Sequence, residues 1–171
     1  MTNIAILGST GMLGSALTEV LSLRFGKVIE LNRTGVPLLK SNECLALDAS
    51  QEIAFNQVFD GLRIDYIVNA IGMIKQVINE TDFSDLQKAQ VINCDFVSKL
   101  NEYSDSREVP VIQIGTDCVF SGTRGSYIET DLKDGIGFYA QSKAIGELSN
   151  NKDLTIRTSI IGPDLNKDGI G

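Results

Sequence analysis

The chain contains no histidine and no tryptophan. Without histidine, a Ser-His-Asp triad, a Cys-His pair and any His-ligated metal centre are excluded. Acid–base chemistry near neutral pH then falls to Tyr, Lys, Cys or a carboxylate. Only three cysteines occur, Cys44, Cys94 and Cys118. Their odd number, wide spacing and lack of a CxxC pair argue against both a disulfide framework and a zinc site. Cys118 reads as a small buried residue, since no base accompanies it. No run approaches the roughly 20 apolar residues of a membrane span. No basic segment leads into a signal-like apolar core either, so the expected location is cytoplasmic, with no membrane partner. An excess of basic residues is also missing: 15 Lys and Arg stand against 22 Asp and Glu, a net charge of −7. That excludes broad nucleic-acid binding. It leaves room for an anionic cofactor held by loop amides and one local cation.

What is present suffices for one domain: 171 residues, 43% of them apolar, with a core mainly of Ile, Leu, Val and Ala. Short apolar runs alternate with helical patterns. Strands are expected at Ile4–Leu7, Val28–Leu31, Cys44–Leu47, Asp65–Ala70, Val109–Ile114 and Leu154–Arg157, the last terminated by Gly162-Pro163. Helices are expected at Met12–Leu23, Ile53–Phe59, Leu86–Tyr103 and Tyr139–Ser149. In the first of these, Leu13, Ala16, Leu17, Val20 and Leu21 share one side. The glycine-rich, charged stretch Ser121–Gly137 reads as loop. Strands alternating with helices imply an α/β fold with a doubly wound parallel sheet, order 3-2-1-4-5-6, and ligand at the strand C-terminal ends.

The first strand runs into Gly8-Ser9-Thr10-Gly11-Met12-Leu13-Gly14. Gly8 permits the turn, Gly11 lets a pyrophosphate approach the backbone, and Gly14 allows close helix–strand packing. The amides of Met12 and Leu13 are unpaired helix-start donors aimed at phosphate. A Lys-Ser or Lys-Thr pair does not follow, which excludes a kinase-type P-loop. With its strand and helix, the loop points to a Rossmann-type dinucleotide site rather than an ordinary turn. The second strand ends in Leu31-Asn32-Arg33-Thr34. Asn32 is neutral where an NAD site usually places an acid, Glu30 lies too deep, and Arg33 can pair with a 2′-phosphate. NADP is therefore preferred, with NAD the alternative; the bland reading of Arg33 is a solvated cation.

Tyr139-Ala140-Gln141-Ser142-Lys143 places a phenol and an ammonium four apart, on one helix face. A nearby ammonium lowers a phenol's pKa, so such a pair can pass a proton to a carbonyl oxygen while hydride arrives from a nicotinamide. Lys143 can also bond the nicotinamide ribose. Alone the spacing is weak. Downstream of a fifth strand that ends at Gly115 and leads into Thr116 and Asp117, it becomes a candidate site. The Thr116 hydroxyl can hold the substrate oxygen beside Tyr139, and Asp117 is expected to cap a turn, with binding of substrate hydroxyls the alternative.

These residues resemble the extended short-chain dehydrogenase/reductase superfamily, and within it dTDP-4-dehydrorhamnose reductases and related nucleotide-sugar reductases. The likeness covers nearly the whole chain. The glycine loop matches the family's nucleotide loop. Asn69-Ala70-Ile71-Gly72 matches its cofactor-lining segment, Asp48 and Ala49 its adenine contacts, and Asn93 its helix asparagine. Thr116-Asp117-Cys118-Val119-Phe120-Ser121-Gly122 is similar to a Thr-Asp-Tyr-Val-Phe-x-Gly motif with Cys118 in place of tyrosine. Arg157–Pro163 is similar to the strand and turn leading to the substrate region. The resemblance assigns Thr116, Tyr139 and Lys143 as the catalytic trio. It implies a reductase of a 4-keto nucleotide sugar in surface polysaccharide synthesis, with homo-oligomers an expected state. The chain departs from the family in Ala140 after the tyrosine, in Ile136-Gly137-Phe138 where a proline is usual, and in length. Relatives continue into a smaller substrate domain, on the order of a further hundred residues. Residues 1–171 thus form a dinucleotide-binding domain whose last residues begin the substrate region. The rival readings are an epimerase or dehydratase that retains NAD, and a non-catalytic dinucleotide-binding module.

Overall fold

In the computed structural model, residues 2–162 are described. Six parallel strands form one sheet: β1 (Asn3–Leu7), β2 (Lys27–Asn32), β3 (Glu43–Ala46), β4 (Tyr66–Asn69), β5 (Val111–Gly115) and β6 (Leu154–Arg157). Their order is β3-β2-β1-β4-β5-β6, as the alternating pattern predicts. Five α-helices connect them: α1 (Met12–Arg24), α2 (Phe55–Val58), α3 (Phe83–Gln90), α4 (Phe96–Arg107) and α5 (Phe138–Ile145). The strand order reverses between β1 and β4, where Leu7 pairs with both Leu31 and Asn69. That reversal opens the crevice in which doubly wound sheets bind ligands. The turn expected to end at Pro163, and the start of a substrate region beyond it, lie outside the described residues. None of the described helices is long and apolar enough to cross a membrane.

Side-chain alternation along β1 divides the core. Ala5 and Leu7 face one side with Ile29, Leu31, Ile67 and Val111, against Phe55, Phe59, Phe96, Leu100 and Tyr103. Ile4 and Ile6 face the other with Val28 and Val68, under Leu17 and Leu21 of α1. The few aromatics are concentrated: Phe55, Phe59, Phe96 and Tyr103 pack ring to ring at 5.2–5.9 Å.

Three elements differ from the sequence reading. The α1 residues buried outright are Gly14, Ser15 and Thr18, whereas Ala16 and Val20 are exposed. The small residues face inward because the helix starts against the backbone of the glycine loop. Their hydroxyls are satisfied by bonds to Met12 O and Gly14 O. The long helix after β4 is interrupted by a π-helical turn, Val91–Asp95. Helix α5 stops at Ile145 rather than Ser149, because Gly146 lies so close to Asn93 that a Cβ there would stand 1.9 Å from the Asn93 carbonyl oxygen.

Candidate active site

Each glycine of the first loop has a visible task. Gly8 has a φ of 84° and Gly14 presses on it: a Cβ on Gly14 would come within 1.9 Å of the Gly8 carbonyl oxygen. Gly11, by contrast, is exposed and open, with only the Gly8 oxygen near its missing Cβ. No side chain caps α1, so the N–H groups at Met12 and Leu13 stay available to an anion. Thr10 is exposed at the rim. A cradle open at Gly11 and closed behind at Gly14 fits a pyrophosphate.

The tip of β2 is tied to this loop by Asn32. Its amide nitrogen lies 3.1 Å from Ser9 Oγ and 2.9 Å from Val36 O, and its Oδ1 accepts from the N–H groups of Thr34 and Gly35. The side chain is thereby spent on internal bonds, which leaves the exposed Arg33 to face a ligand. Glu30 is fully buried, as expected from its depth, and accepts from Leu38 N, Leu39 N and Asn42. Asp48 sits next to Arg33. The N–H and hydroxyl of Ser50 hold its carboxyl below the usual range, with a smaller contribution from Arg33. Ala49 is buried beside it.

The segment after β4 joins the two motifs. Ala70 and Ile71 lie against Gly8, and a Cβ on the next residue, Gly72, would stand 3.2 Å from Lys143 Nζ. The Asn69 side chain shapes this turn, accepting from Ile71 N and donating to Gln113. Lys143 is 8% exposed, and its ammonium donates to Ile114 O at 3.1 Å. Burial pushes its pKa down, partly offset by Glu147 and Cys94. Asn93, inside the π-helical turn, holds Met73 from both sides and donates to Ser142 Oγ. Ser142 in turn donates to Tyr139 O. Ser142 thus links Asn93 to helix α5, a role for which its place one residue before Lys143 is the only sequence signal.

Tyr139 is half-buried one turn before Lys143, with Thr116 close by. Its phenol is held above the ordinary value, a correction to the expectation that the lysine lowers it. Burial is the main cause, and the Thr116 hydroxyl works in the opposite direction. Lys143 is not among the groups that shift it, and its ammonium donates to the β5 carbonyl of Ile114 instead. Two further expectations are corrected. The residue capping the turn after β5 is Thr116, whose hydroxyl accepts from Cys118 N; Asp117 instead accepts from Ser159. Cys118 is exposed, because this turn lifts it out of the core. Beside it opens a cavity of about 480 Å³ lined by Asp117, Cys118, Phe120, Tyr127 and Arg157 among others. Phe120 and Tyr127 stack at 4.5 Å, and Arg157 lies over Phe120.

No curated protein matches this chain. It is similar to the crystal structure of a hypothetical dTDP-4-dehydrorhamnose reductase from Sulfolobus tokodaii, at 28% identity and a TM-score of 0.76, over 92% of this chain and 55% of that one. A dTDP-4-dehydrorhamnose reductase from Clostridium acetobutylicum gives 23% identity and a TM-score of 0.74, over 92% and 53%. The Bordetella bronchiseptica enzyme WbmG, solved with NAD and UDP, shares the fold at 17% identity and a TM-score of 0.74, over 90% and 52%. The chain thus spans about half the length of these relatives. The model of the RmlD substrate binding domain matches residues 1–163, and the chain belongs to that family.

Proposed function

We propose that this chain is the dinucleotide-binding half of an NADP-preferring reductase acting on a 4-keto nucleotide sugar, of the kind used in surface polysaccharide synthesis. One observation carries the reading. The buried Lys143 ammonium stands against Gly72, two residues from the Ala70 that packs on the glycine loop, with Tyr139 one turn away and Thr116 beside that tyrosine. A bound nicotinamide dinucleotide supplies the hydride. The amides of Met12 and Leu13 would hold its pyrophosphate over the open Gly11, Arg33 would read its 2′-phosphate, and Asp48 and Ala49 would flank its adenine. Thr116 orients the substrate carbonyl, and the Tyr139 phenol donates a proton to its oxygen. A phenol is protonated at neutral pH and can therefore serve as the donor. Lys143 would orient the ribose.

Tyr139→Phe tests this in the enzyme carrying its complete substrate-binding region. Turnover is expected to fall by about a hundredfold or more while NADPH affinity stays within about twofold. Unchanged turnover overturns the assignment. Exchangeable NADPH supports a reductase; tightly retained oxidised NAD supports the epimerase reading instead.

A further inference from the structure

We propose that Glu80 is a positioning residue for Tyr139, acting as a cap that a distant segment supplies to the first turn of α5. The inference rests on the proton-donor role of Tyr139 proposed above. Helix α5 has no side-chain cap of its own, since Gly137 occupies the N-cap position. The Glu80 carboxylate fills that place: its Oε1 accepts from the N–H of Tyr139 at 3.3 Å. Gly137 is shaped to admit it. Its φ is 93°, and a Cβ there would stand 2.8 and 3.3 Å from the two Glu80 oxygens. The acid at 80 and the glycine at 137 therefore act as a pair.

Glu80 is carried on a braced turn. Ile78 is buried, the Asn79 side chain accepts from the N–H and hydroxyl of Thr81, Asp82 N donates to Asn79 O, and Asn79 N donates to Asp85. A carboxylate at a helix start is also favoured by the helix dipole. The amide it holds belongs to the residue bearing the phenol. Glu80 therefore sets Tyr139 against the segment that follows β4, which also faces Lys143. Lys143 sits a turn further on with its own bond to Ile114 O. Loss of the cap is thus expected to misplace the phenol and leave the lysine in position.

The experiment compares Glu80→Ala, Glu80→Gln and Tyr139→Phe in the enzyme with its complete substrate region, reading kcat, KM and dinucleotide Kd. Glu80→Ala is expected to lower kcat roughly tenfold with Kd within about twofold, since small misplacements at a reacting group are costly in rate. Glu80→Gln keeps an acceptor oxygen and is expected to recover most of that loss. Gly137→Ala both strains a φ of 93° and displaces the carboxylate, so it is read together with the double variant Gly137→Ala/Glu80→Ala. A double variant no slower than Gly137→Ala alone supports the pairing and keeps the test decisive should Glu80→Ala not fold. Wild-type kcat in Glu80→Ala or Gly137→Ala, with Tyr139→Phe inactive, overturns the positioning role alone. So does a kcat loss in Glu80→Ala matched by an equal loss of affinity, or a Glu80→Gln variant as slow as the alanine one. Full turnover in Tyr139→Phe overturns the proton-donor reading and this inference with it.

Discussion

The two sides of the sheet build their shares of the site by different means. On the β1–β2 side the work is done by backbone, through a glycine turn, an uncapped helix start and close approach at Gly14. On the β5–β6 side it is done by charged side chains held away from water. There, Lys143 is buried against a carbonyl, and Glu147 is clamped by Arg157 and Lys133. Backbone sites fail by steric exclusion, abruptly and with little dependence on pH. Side-chain sites fail through charge, gradually and with a pH signature.

The sharpest way to test that contrast is Gly14→Ala. Alanine is the better helix former by about 1 kcal/mol, so propensity alone predicts stabilisation. The Cβ, however, lands 1.9 Å from the Gly8 carbonyl oxygen, which is backbone and cannot swing aside. We expect a net loss of about 3 kcal/mol, of the size seen for overpacked cores. Calorimetry should show a drop of about 10 °C in Tm. Dinucleotide binding should weaken at least about a hundredfold, because the α1 start moves with the loop. A stable, binding-competent alanine variant would show that close approach at Gly14 is not what fixes this side.

The same contrast explains what the sequence disclosed. The strand order and the glycine loop follow from local patterns, apolar runs of strand length and fixed glycine spacing, and both were legible. The Tyr139–Lys143 spacing was legible too, but its electrostatics were not. The direction of the Tyr139 shift depends on burial and on the neighbouring Thr116 and Asp117, and neither can be read from a spacing of four. The inward face of α1 was legible only in part: Leu17 and Leu21 pack on the sheet as periodicity predicts, but the residues buried outright are the small Gly14, Ser15 and Thr18, which hydrophobic periodicity does not find. The π-helical turn at Asn93 and the early stop of α5 at Gly146 arise from one contact between segments far apart in the chain. The Glu80–Gly137 pair was hidden for the same reason.

On the side-chain half, Glu147→Gln should cost less, about 2 kcal/mol, and should show the pH signature. The Glu147 side chain is 4% exposed and receives Arg157 Nε at 2.6 Å and Lys133 Nζ at 2.8 Å. Burial raises its pKa, but the bonds from the two cations outweigh burial, and the net value lies below the unfolded 4.5. A carboxyl depressed in the folded state stabilises the fold above the unfolded pKa. That contribution is lost as pH falls through the folded value. Urea titrations from pH 7 downwards should show wild-type stability falling below about pH 4.5 and a shallower acid limb for the glutamine variant. Parallel acid limbs would mean that another carboxylate governs this side.

Arg33→Ala is the smallest change and the finest probe, because Arg33 is a side-chain reader placed on the backbone-built half. The Asn32 carboxamide closes the turn through Thr34 and Gly35 and leaves Arg33 exposed beside Asp48. An exposed cation makes a weak contribution to folding, so Tm should be unchanged within about 1 °C. A guanidinium on a phosphate is a charge-assisted bond, so affinity for NADPH should fall about tenfold. Affinity for NADH, which lacks that phosphate, should stay constant, and fluorescence titration of both separates the two cases. Equal losses for the two dinucleotides would place Arg33 on a part they share. No loss for either would make it a solvated cation and leave the β2 tip without a phosphate reader.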